Sequence, residues 1–393
     1  MIDFEKALEI ILSKTQNLNS VENVPLSESI GRILAQDVIS DINMPPFRKT
    51  AVDGYACRKI DLTNPLQVIG TIAAGTFPKS EILPNTCMKI MTGAPIPIGA
   101  DYVIPVEDTS TNNEGKVLLT GKISRSNICE LGEDIKSGNI AIKAGTQIQP
   151  KHIAIMAALG CHNPQVNVKP NIAILPTGDE LVEPTQKPIG GQIRNSNGHQ
   201  LIAQVSEAYC IPNYFGIIRD TKQSTYDALK KALDENDVVL LTGGVSMGDF
   251  DYVPEIMEEL GIQIHFDSIA VQPGKPTTFG TKGNKLIFGL PGNPVSSFIQ
   301  FEFLVKPAIQ KLTGSTSNSN LTLKLPLEVT YTRKRTERLA IIPAQITSNQ
   351  TALPIEYHGS AHIFALNNAN AVIFIPKGVS SIEKGDLVDV RQI

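Results

Sequence analysis

The sequence predicts a multidomain α/β plus β protein built around one doubly wound parallel sheet. Three observations predict it. Beyond Asn171, buried-type strands alternate with helical segments, the rhythm of a parallel sheet covered on both faces. Between Thr50 and Glu133, short apolar runs are punctuated by Gly, Pro and Asn, as in a small all-β domain. After Gly314 a polar run, 315–320, leads into a tail of short apolar segments broken by Gly, Asn and Lys. At about 100–200 residues per domain, 393 residues hold two to four domains.

The first helix follows from Phe4, Leu8 and Ile11, which fall at i, i+4 and i+7 and form one apolar stripe. A second helix is expected over 27–38. Pro45-Pro46 cannot continue a helix and marks an extended crossing into a new domain. Strands are expected over 67–72, 87–91, 102–106 and 117–120, with further short strands over 138–149. The helix over 150–159 opens at Pro150, suited to a first helical position, and stops at Gly160. This piece is expected to return and pack on the N-terminal helices. The partition is therefore a discontinuous linker domain, 1–43 and 135–170, with a β domain, 44–134, inserted in it. An α/β domain, 171–314, and a C-terminal small β-barrel or sandwich, 315–393, complete the chain.

Within the α/β domain, strands are expected over 172–175, 214–218, 238–241 and 285–290. Helices are expected over 197–208, with Leu201, Ile202 and Val205 on one face, over 225–233, and over 252–260, with Val253, Ile256, Met257 and Leu260 at helical spacing. The last helix opens at Asn293-Pro294, where Asn can cap and Pro can take the first position. The result is Rossmann-like, and such sheets bind ligands beyond the C-terminal ends of their strands.

The net charge of −4 argues against broad nucleic-acid binding, which needs a basic face. It leaves room for a small anion held by local Lys, Arg and backbone N–H groups. The cysteines Cys57, Cys87, Cys129, Cys161 and Cys210 are odd in number, widely spaced and without a C-x-x-C, so neither a disulfide framework nor a zinc site is expected. The N-terminus has no signal-peptide pattern, and no apolar run approaches the ~20 residues of a membrane span. A cytoplasmic chain is expected.

Four glycine-containing loops carry the candidate chemistry. Thr242-Gly243-Gly244-Val245-Ser246 follows a buried strand, where paired glycines let N–H groups approach an anion; a tight ligand-free turn is the plainer account. Leu290-Pro291-Gly292-Asn293-Pro294-Val295-Ser296 is either a rigid cradle or simple helix capping. Gln272-Pro273-Gly274-Lys275-Pro276 holds a cation that can pair with phosphate, or one that merely faces solvent. Pro176-Thr177-Gly178-Asp179-Glu180 puts two acids at a strand end, able to ligate Mg²⁺, position water or move protons, or only to cap a helix. In the β domain, Asp53-Gly54, Met91-Thr92-Gly93-Ala94 and Gly132-Glu133-Asp134 read singly as turns and loop acids.

Together these strings resemble the molybdopterin molybdenumtransferase family, called MoeA in bacteria and the E domain of gephyrin in animals. They are Thr50-Ala51-Val52-Asp53-Gly54-Tyr55-Ala56, Met91-Thr92-Gly93-Ala94, Gly132-Glu133-Asp134-Ile135, Pro176-Thr177-Gly178-Asp179-Glu180-Leu181, Arg194-Asn195-Ser196-Asn197-Gly198, Thr242-Gly243-Gly244-Val245-Ser246, Pro273-Gly274-Lys275-Pro276 and the 290–296 string. They stand in family order and span nearly the whole chain. The resemblance implies an elongated linker domain, a molybdopterin-binding α/β domain, and a homodimer whose site is shared between the α/β domain of one subunit and the β domain of the other. It implies insertion of molybdate into adenylated molybdopterin, with Mg²⁺-dependent release of AMP.

Carried over residue by residue, the resemblance makes Glu180, Asp53, Thr92 and Asp134 catalytic, with Glu180 the expected proton donor. Thr177, Gly178, Asp179, Arg194, Ser196, Asn197, Gly243, Gly244, Ser246, Lys275, Pro291, Gly292, Asn293, Pro294, Ser296 and Ser360 would bind substrate, and Asp220 and Asp251 would hold the metal. Many relatives carry Lys where this chain has Gln272, so one charge is missing unless Arg194 or Lys275 compensates. The implied partners are the molybdopterin adenylyltransferase and molybdoenzyme acceptors. Two alternatives stand beside this reading. That adenylyltransferase shares the α/β fold but typically reads Gly-Gly-Thr-Gly where this chain has Gly-Gly-Val-Ser, and a non-catalytic cofactor carrier or scaffold would bind without turnover.

Overall fold

The computed structural model describes residues 1–123, 125–244, 253–316, 321–357 and 359–393. The chain forms two compact units. One is Met1–Gln36, Gly145–Gln149 and Gln165–Ile393; the other is Asp37–Ala144 and Pro150–Pro164.

Helix α1 (Phe4–Lys14) forms as its apolar spacing predicts, and it buries Phe4, Ala7 and Ile11 in the core of the first unit. The helix expected over 27–38 does not form. A short 3-10 turn at Leu26–Glu28 is followed by extended chain, because Gly31 turns at φ +75°. The Gly31 amide donates to Ile148 O at 2.8 Å and the Leu34 amide to Thr146 O at 3.0 Å, so the backbone pairs across sequence rather than along a helix.

In the second unit, β1 (Gly54–Cys57), β2 (Gln67–Ile72), β3 (Thr86–Ile90) and β4 (Tyr102–Pro105) form one sheet in the order β2-β3-β1-β4. Alternating side chains fill two small cores, one holding Ala56, Met88 and Val103 and the other Cys57, Cys87 and Tyr102. Helix α2 (Pro150–Ala158) belongs to this unit.

The α/β sheet of the first unit is built from β5 (Asn171–Pro176), β6 (Ile211–Tyr214) and β7 (Val238–Thr242), with helices α3 (Ser196–Glu207), α4 (Lys222–Glu235) and α5 (Val253–Glu259) among them. After β8 (Gln263–Phe266) the short β9 (Val271–Gln272) leaves this sheet, and β10 (Thr278–Lys282) and β11 (Lys285–Leu290) re-enter it. The order is β6-β5-β7-β11-β10-β8. Its central strands run parallel, with nearly every side chain of β5, β7 and β11 buried, as a two-face-covered sheet requires.

Three expectations about this α/β region are corrected. β6 lies over Ile211–Tyr214 rather than 214–218, since Gly216, at φ +76°, turns the chain after Tyr214. The sheet is not wholly parallel: β10 runs against its neighbours, pairing antiparallel with β11 across a Gly283-Asn284 hairpin and antiparallel with the edge strand β8. Asn293 stands at the N-cap of α6 (Pro294–Gln300) with Pro294 in the first turn, but its side chain makes no cap bond. Beyond α6 the helix passes through a π-helical turn at Phe301–Val305, next to Pro307, which has no N–H to give, and continues as α7 (Lys306–Leu312).

The C-terminal sheet contains β12 (Leu323–Pro326), β13 (Leu339–Ile346), β14 (Ala371–Ile375) and β15 (Leu387–Gln392) in the order β9-β13-β14-β15-β12. Among the described residues no helix is long and apolar enough to cross a membrane.

Candidate functional site

Three loops leave the C-terminal ends of β5, β7 and β11; one side chain ties the last two together, and a backbone bond ties the first to β7. Asn197, buried in the first turn of α3, donates from Nδ2 to Thr242 Oγ1 at 2.9 Å and to Gly292 O at 2.8 Å. The Thr177 amide donates to Thr242 O at 2.9 Å. Gly243 stands at φ +90°, and a Cβ there would lie 2.4 Å from the Thr177 carbonyl oxygen. Backbone meets backbone at this point, which only glycine allows. Asn197 Oδ1 is left buried and unpartnered among the described residues.

The loops enclose a cavity of about 370 Å³. Thr177, Glu180, Arg194, Asn197, Gly243 and Asn293 are on its wall, with Ser196, Gly292 and Pro294. Asn293 spends its side chain elsewhere than the cap: Nδ2 donates to Ser360 Oγ at 2.8 Å, and the Val295 amide donates to Ser360 O at 3.1 Å. Ser360, remote in sequence, is thereby tied to the last loop, and its neighbours Ala361 and Ile363 close one side of the cavity.

An acidic group lies beside this wall. The Glu180 carboxylate folds back over Gly178, where an added Cβ would stand 2.6 Å from Glu180 Oε2. The Asp220 amide donates to Asp179 Oδ1 at 3.3 Å. Burial, and then the charge of Glu180, raise the Asp220 carboxyl above the usual Asp range. Asp179, Asp220 and Gly178 flank the cavity rather than line it, as do Gly244 and Pro291. Among the described residues no three His, Cys, Asp or Glu side chains are grouped to hold a metal. Asp251 and Ser246 lie outside the described residues.

Two predicted members are not brought in. Ser296 is buried against the core in the first turn of α6. Lys275 does not line the cavity, because its loop follows β9, which pairs with β13 of the C-terminal sheet and not with the parallel strands. Gln300 Nε2 donates to Pro273 O at 3.2 Å and pins that loop. Gln272 instead lines a second cavity, of about 270 Å³, with Tyr331, Arg333, Lys334, Arg335 and Tyr357. Arg333 is held there by the carbonyls of Pro376, Val379 and Arg338, at 2.6, 2.7 and 3.0 Å. No sequence motif marks this basic group beyond the consecutive Arg333-Lys334-Arg335.

In the second unit, Asp53 accepts from the Thr92 amide at 2.6 Å and from Thr92 Oγ1 at 2.9 Å. The backbone bond first, and the hydroxyl second, hold its carboxyl below the usual range. Asp134 is exposed on the segment where Met44 bridges Ile135. The structure thus makes one constellation of Asp53 and Thr92, 39 residues apart in sequence.

Known proteins share this arrangement from end to end. Three family models match the chain: the MoeA N-terminal region (domains I and II) over residues 2–160, a probable molybdopterin binding domain over 173–311, and the MoeA C-terminal region (domain IV) over 324–393. A Staphylococcus epidermidis protein named molybdopterin molybdenumtransferase is 34% identical over 99% of this chain and 95% of its own length. A Bacillus subtilis protein of the same name is 36% identical over 96% of this chain and 91% of its own. This chain belongs to the molybdopterin molybdenumtransferase (MoeA) family. The crystal structure of the molybdopterin biosynthesis moeA protein from Pyrococcus horikoshii matches it at a TM-score of 0.86, with 30% identity and complete coverage of both chains. The chain is a MoeA-family transferase of molybdenum cofactor biosynthesis along its whole length, not a lone central domain.

Proposed function

We propose that this enzyme inserts molybdate into adenylated molybdopterin with Mg²⁺-dependent release of AMP, and that the ligand occupies the cavity above β5, β7 and β11. The observation that carries the reading is the tie that Asn197, at the first turn of α3, makes between the ends of β7 and β11, with Thr177 of the β5 loop bonded to the same Thr242. It brings Arg194, polar side chains and the positive end of a 12-residue helix to one concave wall, which suits a phosphate-bearing ligand.

The donor chemistry fits a magnesium ion. Mg²⁺ takes oxygen ligands, commonly one or two carboxylates plus substrate phosphates, so Asp220 with the ligand's phosphates suffices without a three-acid cage. The Glu180 charge that disfavours ionised Asp220 is the repulsion a cation would relieve. Bound there, Mg²⁺ would neutralise phosphate charge. Converting a molybdate oxygen to water consumes protons. Asp220 keeps its proton to higher pH than an ordinary Asp and would give it up on ligating Mg²⁺, while Glu180 keeps the proton-donor role expected of it. Molybdate is a dianion, and the cations lining the second cavity, Arg333, Lys334 and Arg335, supply the charge that Gln272 lacks.

The proposal includes a homodimer, the four-domain partition of the sequence reading, and a cytoplasmic place in keeping with five free thiols. The adenylyltransferase upstream and molybdoenzyme acceptors downstream are its partners. The deciding experiment incubates the protein with adenylated molybdopterin, Mg²⁺ and molybdate. AMP and active cofactor are expected together. Ligand retained without AMP or cofactor would identify a carrier and overturn the proposal.

A further inference from the structure

Behind the wall of the cavity runs a chain of hydrogen bonds that links the 194–198 motif to residues outside every motif. Asn195, buried, caps α3: its Oδ1 accepts from the Gly198 amide at 2.9 Å. Its Nδ2 donates to Tyr214 Oη at 2.8 Å. Tyr214 Oη donates in turn to Glu183 Oε1 at 2.6 Å, and Glu183 Oε2 meets His199 Nε2 at 3.1 Å. The His199 and Tyr214 rings lie 5.6 Å apart, which closes the loop back to α3 one turn beyond its start. The backbone makes a parallel tie, since Leu181–Val182 pairs with Ile193–Arg194 and the Asn195 amide donates to Val182 O at 2.9 Å.

We infer that Tyr214 and Glu183 are positioning residues for the ligand in this cavity, acting through Asn195. An amide side chain can turn over and exchange its oxygen for its nitrogen. Only one orientation caps α3. The Tyr214 hydroxyl selects it, because that oxygen gives its own proton to Glu183 and can then only accept from Asn195 Nδ2. Asn195 Oδ1 is thereby directed at the Gly198 amide. Gly198 is the partner the cap demands: a Cβ there would stand 2.7 Å from Asn195 Nδ2. The first turn of α3 is fixed in consequence, and with it Ser196 and Asn197 on the wall. Glu183 follows the Leu181–Val182 ladder directly after Glu180, so the same anchor restrains the acid beside the ligand. Glu183 is ionised readily, held below the usual Glu range by the Tyr214 hydroxyl bond and then by His199, which keeps it an acceptor.

This inference rests on the proposed ligand, and its test separates the two. Tyr214→Phe removes one hydroxyl and keeps the ring. Losing a neutral hydrogen bond that orients a binding wall should raise KM for adenylated molybdopterin about five- to tenfold, with kcat within about twofold. The thermal midpoint should barely move. Glu183→Gln, which retains an acceptor for Tyr214, should bind nearly as wild type, while Glu183→Ala should resemble Tyr214→Phe. An unchanged KM in Tyr214→Phe, or a lowered midpoint with no change in KM, would overturn the inference. Hydrogen exchange at the Gly198 amide tests the positioning without any ligand. It should quicken in Tyr214→Phe, and unchanged exchange overturns the inference even if the wild type proves not to bind adenylated molybdopterin, a failure that would instead sink the proposed ligand.

Discussion

Asp220 and Asp53 are perturbed in opposite directions, and each direction has a consequence. Asp220 has a raised folded value, so it holds a proton between the ordinary Asp pKa of about 3.9 and its own higher value. Folding is penalised once pH rises through that window, because the ionised form is disfavoured. Asp220→Asn should therefore melt higher than wild type at neutral pH and gain little in acid, measured as thermal midpoint against pH, while losing molybdenum insertion. A midpoint difference independent of pH would remove the raised carboxyl from the account. Glu180→Gln should keep the pterin bound and lose insertion; intact insertion would take Glu180 out of the mechanism. Asp53 is the reverse case. Its lowered value means its contribution is present above the ordinary Asp pKa and is lost as pH falls through its folded value. Thr92→Val deletes the Oγ1 bond and leaves the amide bond, so the Asp53 titration followed by NMR should move partway back toward the ordinary value.

At the scale of elements, the loops after β5, β7 and β11 separate glycines that look alike in sequence. Gly243→Ala would force a left-handed φ on alanine and drive a Cβ to 2.4 Å from a carbonyl oxygen. Strain of this kind costs about 1–3 kcal/mol, and the clash adds to it, so a clear loss in denaturant midpoint is expected. Gly292→Ala has ordinary φ and meets nothing nearer than Gly243 Cα at 3.7 Å. It should fold like wild type, its methyl occupying the cavity. Equal stability of the two variants would contradict the packing described. The motif glycines were legible from sequence; which of them is irreplaceable was not, because the obstacle at Gly243 is Thr177, 66 residues earlier. The false helix over 27–38 has the same origin. The hydrogen-bond partners its backbone takes are Thr146 and Ile148, more than a hundred residues along the chain.

For the whole molecule, the proposed homodimer predicts a solution mass of two chains by ultracentrifugation. It also predicts that a mixture of Asp53→Asn and Glu180→Gln proteins, each inactive alone, recovers part of the insertion activity after subunit exchange. No recovery from exchanged mixtures would mean that the two acids do not serve a shared site.

The sequence alone determined the parallel strands, their C-terminal loops and the family, since buried strands and turn glycines are written in local composition and the motifs stand in order along the chain. It also named Thr177, Glu180, Arg194, Asn197 and Gly243 as candidate site residues, and these five share the cavity wall. Tertiary structure decided which motif residues meet. It sent Lys275 toward the C-terminal sheet through β9, set Gln272 among Arg333, Lys334 and Arg335, tied Ser360 to Asn293, and raised the Asp220 carboxyl through burial and the nearby charge of Glu180. The physical reason is common to all four. Charge and hydrogen bonding act through space over a few ångströms, between residues that local pattern cannot pair.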